Sequence, residues 1–136
     1  MFRLSFALLA LSSFPALADV WTFNTPSGNI ECSVGEGFDG SDIICSIFKR
    51  SGPSSVPQMA GCPLSRGIKV EMLHHGYVSM TCLAAGERGY GGQSVAEYGV
   101  TGNFSGITCH SSTKGLDCRN QDGHGFFLSR AVQNAW

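Results

Sequence analysis

The chain has 136 residues, nine Lys or Arg against ten Asp or Glu, and a formal charge of −1. This balance, with no basic stripe anywhere along the chain, excludes the phosphate-tracking footprint of a nucleic-acid binder. The length is enough for one domain with a real but modest core.

Residues 1–18 combine a basic start at Arg3, an apolar run through Leu4, Phe6, Leu8, Leu9 and Leu11, and the small-residue end Ala16-Leu17-Ala18. That is the composition of a secretory signal peptide, so the mature protein is expected to begin at Asp19 and to be periplasmic or secreted. The apolar run falls short of the roughly 20 residues of a membrane span, and no later stretch approaches it, so no transmembrane segment is expected. Without Arg3 the mature part has eight basic residues against ten acidic and a formal charge of −2. All six cysteines lie in the mature part, residues 19–136. In a small exported domain an even cysteine count reads as disulfides. No Cys-x-x-Cys motif suggests a redox centre, and neither cysteines nor histidines show zinc-ligand spacing.

Asp19 to Asn24 has strand-type residues, Val20-Trp21-Thr22-Phe23, and Thr25-Pro26-Ser27-Gly28 ends it as a turn. A hairpin follows in which Cys32 opposes Cys45. This register also sets Ile30 against Ile47 and Val34 against Ile43, so every position on the cysteine face is apolar. Gly35 to Asp42 is expected as a flexible acidic loop. The two prolines of Ser51-Gly52-Pro53-Ser54-Ser55-Val56-Pro57 make this run a crossing loop. Another hairpin opens at Ile68. A three-residue loop, His74-His75-Gly76, pairs Met72 with Val78, Val70 with Met80 and Ile68 with Cys82, and by elimination Cys62 joins Cys82.

Gly86 to Gln93 is glycine-rich but lacks the Gly-Lys-Ser/Thr ending of a phosphate loop, and it reads as a flexible connection. Ser94 to Tyr98 offers a further strand. Ser105 to Asn120 then repeats the cystine hairpin, with Cys109 opposite Cys118 and the polar pairs Thr108 with Arg119 and His110 with Asp117 on the other face. Its opening, Ser105-Gly106-Ile107-Thr108-Cys109, echoes Ser27-Gly28-Asn29-Ile30-Glu31-Cys32 with one inserted residue, a weak internal repeat. After a turn at Gln121 to Gly125, Phe126-Phe127-Leu128 is a buried-type strand, and Ser129 is placed to cap a short C-terminal helix over residues 130–136.

The chemistry-bearing residues are few. His110 opposite Asp117, with Ser111 and Ser112 nearby, is the one arrangement that suggests a small hydrolase, set against a plain cross-strand charge pair. His74 and His75 are read as a loop tip because neighbouring residues on a ribbon point apart. His124 stands between two glycines of a tight turn. Trp21, Trp136 and Phe126-Phe127 are read either as core or as an apolar recognition surface, and Tyr90 as the aromatic residue most exposed to solvent.

Taken together, Thr25-Pro26-Ser27-Gly28-Asn29-Ile30-Glu31-Cys32, the pair Tyr98-Gly99 and the close Gly123-His124-Gly125-Phe126-Phe127-Leu128-Ser129-Arg130 resemble a family of small exported bacterial proteins described as a domain of unknown function. The resemblance implies export and a single disulfide-bonded domain, and brings no catalytic residue with it. The expectation is an all-β sandwich or barrel of about eight short antiparallel strands, bridged Cys32–Cys45, Cys62–Cys82 and Cys109–Cys118. Its expected role is non-enzymatic recognition of a protein or envelope ligand, without cofactor or metal. An enzyme inhibitor and a hydrolase using His110 and Asp117 are the alternatives.

Overall fold

A computed structural model describes residues 19–136, so the leader expected over residues 1–18 lies outside the described residues. The strands are β1 (Asp19–Asn24), β2 (Ile30–Gly37), β3 (Gly40–Ile47), β4 (Ile68–Leu73), β5 (Ser79–Cys82), β6 (Ser94–Val95), β7 (Thr101–Asn103), β8 (Thr108–Ser112), β9 (Gly115–Arg119), β10 (Gly125–Leu128) and β11 (Gln133–Ala135). They form two sheets, one in the order β5-β4-β3-β2-β1-β6 and the other β11-β10-β9-β8-β7. The fold is therefore all-β, a sandwich of two open sheets with one continuous core between them. Several of the eleven strands among the described residues are only two or three residues long, too brief for the sequence to mark, which is why about eight were expected.

Each sheet has a cystine hairpin near its middle. In β2–β3 the register pairs Ile30 with Ile47, Cys32 with Cys45 and Val34 with Ile43; in β8–β9 it pairs Cys109 with Cys118 and His110 with Asp117. Disulfides Cys32–Cys45 and Cys109–Cys118 each span a Cα separation of 4.1 Å, the close approach of directly opposed residues without ladder bonds between them. Both face inward, so cystine sulfur, Val34, Ile43, Ile107, Leu116, Phe126 and Leu128 share the interior. The third bridge, Cys62–Cys82, ties the long β3–β4 connection to β5. No cysteine of the described residues is free.

The connection after β3 closes one flank of the sandwich. Ser51 N–H donates to Arg130 O at 2.8 Å and Ser55 N–H to Gln133 O at 3.0 Å, so this chain bridges the first sheet and β11. Arg50, only 9% exposed, donates from Nε to Gln133 Oε1 at 2.9 Å and from Nη1 to Pro63 O and Arg66 O at 3.2 and 3.1 Å. At the opposite flank β6 and β7 end the two sheets, and the short connection between them crosses it, with Ala96 N–H donating to Asn24 O at 2.8 Å and Gly99 N–H to Ser111 O at 2.7 Å.

Four local expectations are corrected. Gly35 to Asp42 is not a flexible loop: the ladder continues through Gly35 with Asp42, Glu36 with Ser41 and Gly37 with Gly40, leaving only Phe38 and Asp39 to turn. Gly40 permits this, having a φ of 143° and lying under the His74 ring, where a side chain would collide. The strand expected over Ser94 to Tyr98 shrinks to Ser94–Val95 and runs parallel to β1. In the β4–β5 hairpin the register is as expected, but Met72 and Val78 fall outside the paired residues, so the connection is longer than three residues. Residues 130–136 form no helix; β11 pairs with β10 instead, with Gly125 and Trp136 exchanging N–H to O bonds at 3.0 Å. A seven-residue helix would leave most of its terminal backbone groups unbonded, whereas the sheet edge satisfies them.

Candidate functional site

The residues singled out for chemistry are committed to structural bonds. His110 Nδ1 lies 2.8 Å from Thr101 Oγ1 on β7, while Asp117 accepts from Arg119 Nε at 3.2 Å. Ser111, 2% exposed, donates to Ala96 O at 2.8 Å, and Ser112 Oγ faces Gly115 O at 3.4 Å. Facing strands place His110 and Asp117 opposite one another, yet each side chain bonds a different neighbour. The geometry assembles no pairing of nucleophile and base.

His74 and His75 do not point apart as expected. Their rings meet edge to face with centroids 4.3 Å apart, because His74 folds over Gly40 and brings its Nδ1 to 3.3 Å from Ser41 N. Among the described residues no group of three or more His, Cys, Asp or Glu side chains is placed to hold a metal ion. His124 belongs to a turn clamped by Asn120, whose Oδ1 accepts from Asp122 N and His124 N and whose Nδ2 donates to Leu73 O and Gly76 O. Trp136 stacks under Arg119, whose guanidinium carbon is 5.3 Å from the ring centroid. Phe126 is core. Tyr90 is not the most exposed aromatic residue: Phe38, at the β2–β3 turn, is fully exposed and Tyr77 86% exposed. The glycine-rich connection is held by Glu31, which accepts from Gly91 N at 3.1 Å, bringing Tyr90 back toward the sheet.

The flank of β6 and β7 holds a concave site. An apolar cleft of about 240 Å³ lies between β1, β6 and β7, with Trp21, Phe23, Val95, Val100 and Phe104 among its walls. Phe23 and Phe104 stack at 6.1 Å and Trp21 meets Phe104 edge-on at 5.7 Å, fixing the rings. Trp21, Val95 and Val100 are each 43–50% exposed and form an apolar rim. Roughly 150 Å³ of apolar space suffices for a benzene ring, so the cleft has room for an aromatic or branched aliphatic side chain.

Next to it, β7 is a free sheet edge. Phe104 N–H bonds to Ile107 O and Ser111 N–H to Val100 O, so the alternation of the ladder turns the backbone groups of Thr101 and Asn103 away from β8. Gly102, between them, faces the cleft. Of the cleft residues the sequence offered only Trp21 as part of a recognition surface; Cys109 and Ser111, which also line it, were marked as a disulfide partner and as a neighbour of the His110–Asp117 pair. The period-two run Val100, Gly102, Phe104 was the available signal, obscured by its glycines.

Fold and site together define a class: a disulfide-bridged β-sandwich module with a recessed apolar cleft beside the free edge of a strand. Within that class the chain belongs to the family of unknown function DUF6636, which matches residues 68–136. The matched part contains the Tyr98-Gly99 pair and the closing Gly123 to Arg130 motif. No curated protein and no solved structure matches the chain.

Proposed function

We propose that this domain is an exported, non-enzymatic recognition module that binds an extended segment of a partner protein along β7, with one apolar side chain of that segment seated in the cleft. The observation that carries this reading is the junction of the two features. A strand added beside β7 would receive the outward N–H and C=O groups of Thr101 and Asn103, and its alternate side chains would enter the space lined by Trp21, Val100 and Phe104. Three disulfides favour a compartment outside the reducing cytosol. Export with cleavage before Asp19 completes the reading, and intact mass of the protein recovered from its native compartment tests it; a species retaining Met1 would contradict it.

Panning a random decapeptide display library against the oxidised domain tests recognition. The expected binders carry an aromatic or branched apolar residue flanked by alternating polar ones. Their affinity should fall at least about tenfold on Val100→Arg, which charges the rim. Binding unaffected by Val100→Arg, or enrichment without an apolar anchor, would overturn the proposal. An enzyme inhibitor is the second reading, favoured by the fully exposed Phe38 at the tip of the β2–β3 hairpin. A stoichiometric enzyme complex lost on Phe38→Asp and kept on Val100→Arg would select it.

A further inference from the structure

At one end of the sandwich a second depression, about 360 Å³, is built from segments far apart in sequence. Thr25 and Ser27 come from the turn ahead of β2, Tyr98 from the approach to β7, Lys114 from the β8–β9 turn, and Ser129 and Arg130 from the connection between β10 and β11. The opening motif, the Tyr98-Gly99 pair and the closing motif, separate landmarks in the sequence, thus meet in one place.

The walls are fixed by bonds of their own. Gly28 N–H donates to Thr25 O at 2.8 Å and Thr25 N–H to Ile30 O at 3.0 Å, with Gly28 at a φ of 72° where a side chain would be strained. Asn29 clamps this turn to Lys49 through Lys49 N to Oδ1 at 2.7 Å and Nδ2 to Lys49 O at 3.0 Å. Across the groove, Ser129 N–H donates to Val132 O, Ser129 Oγ accepts from Val132 N, and Gln133 Nε2 donates to both Ser129 O and Arg130 O.

The electrostatics of this groove run against the chain as a whole. None of its lining residues is acidic, although the chain carries a net negative charge. Its two cations, Lys114 and Arg130, are in neither of the ion pairs formed among the described residues. Ser27, Thr113 and Ser129 line the groove with them. Thr25, 5% exposed, lines the same groove, and its Oγ1 is buried with no hydrogen-bond partner. A buried hydroxyl left without a partner is a costly and uncommon feature, and it is relieved when the Thr25 side chain turns to meet an acceptor that a ligand brings.

We infer that this groove binds a small molecule through an oxyanion, a carboxylate, sulfate or phosphate group held between Lys114 and Arg130, with the Thr25 hydroxyl donating to one of its oxygens and the Tyr98 ring against the attached organic part. Arg130 supplies a planar pair of donors suited to two oxygens of one group, and Lys114 a point charge. The groove shares no lining residue with the apolar cleft, so the inference stands whether or not a peptide binds along β7.

Amide-resolved NMR titration of the oxidised domain with sodium glucuronate, inorganic phosphate and sodium sulfate, at ionic strength held constant with sodium chloride, tests it. Saturable shifts are expected at Ser27, Gly28, Lys114, Gly115 and Arg130. Saturation by all three anions identifies a bare oxyanion site; saturation by glucuronate alone identifies a sugar acid. Affinity should fall at least tenfold in the exposed double variant Lys114→Gln, Arg130→Gln and severalfold in Thr25→Val, with Thr25→Ser binding as the parent does and guarding against a misfolded Thr25→Val. No saturation with any of the three, or saturation unchanged in the double variant, overturns the inference.

Discussion

Arg50 places a guanidinium in the interior without a carboxylate beside it. Its Nε and Nη1 reach Gln133 Oε1, Pro63 O and Arg66 O, and Gln133 itself is wholly buried. Burial alone pulls its pKa below the ordinary guanidinium value, because desolvation disfavours the charged form. The sign follows from linkage. A base with a depressed folded pKa carries its full desolvation cost at every pH below that value, and the cost is relieved only as pH rises through it toward the unfolded value. Arg50 should therefore contribute no pH dependence to stability from about pH 5 to 9. Its worth lies in the carbonyls it satisfies: Arg50→Met should cost about 3 kcal/mol by leaving buried acceptors bare, read by urea unfolding of the oxidised protein. His110 makes the complementary point. Its cross-strand neighbour was legible from the hairpin, but its hydrogen-bond partner, Thr101, comes from β7, whose pairing no local pattern announced.

Hairpins were the elements most open to sequence reasoning, since alternating polarity and a cysteine on each arm leave one register that buries every apolar side chain. Removing a bridge tests how much each contributes. Cys109→Ala with Cys118→Ala should destabilise the domain by about 3 kcal/mol in the chain-entropy account, with Cys32–Cys45 and Cys62–Cys82 still formed in a non-reducing peptide map. A peptide joining Cys32 or Cys45 to Cys62 or Cys82 would show that the hairpins do not set the pairing. The last segment went the other way. Ser129 looked like a helix cap, but its hydroxyl closes a turn with Val132, and β11 completes the second sheet. Amide exchange should accordingly be slow at Gly125 and Trp136, which bond each other across the ladder; exchange at the rate of an unprotected peptide would contradict the strand.

Across the whole molecule the two flanks of the sandwich differ. One is closed by the β3–β4 connection, the Cys62–Cys82 bridge and Arg50; the other ends in short strands around an apolar cleft. Thiol reagents applied to the unreduced, unfolded protein should label no cysteine, and any labelled residue would dismantle this frame. The sequence by itself determined the all-β class, the three disulfides and the registers of the two cystine hairpins, because those depend on side-chain alternation and on contacts between neighbouring segments. Tertiary structure alone decided which strands end the sheets, that Trp21 meets Phe104 across 83 residues, and that Thr25, Lys114 and Arg130 share a groove. Those outcomes depend on how two sheets stack and where their loops converge, and two- or three-residue strands carry too little periodicity to encode it locally.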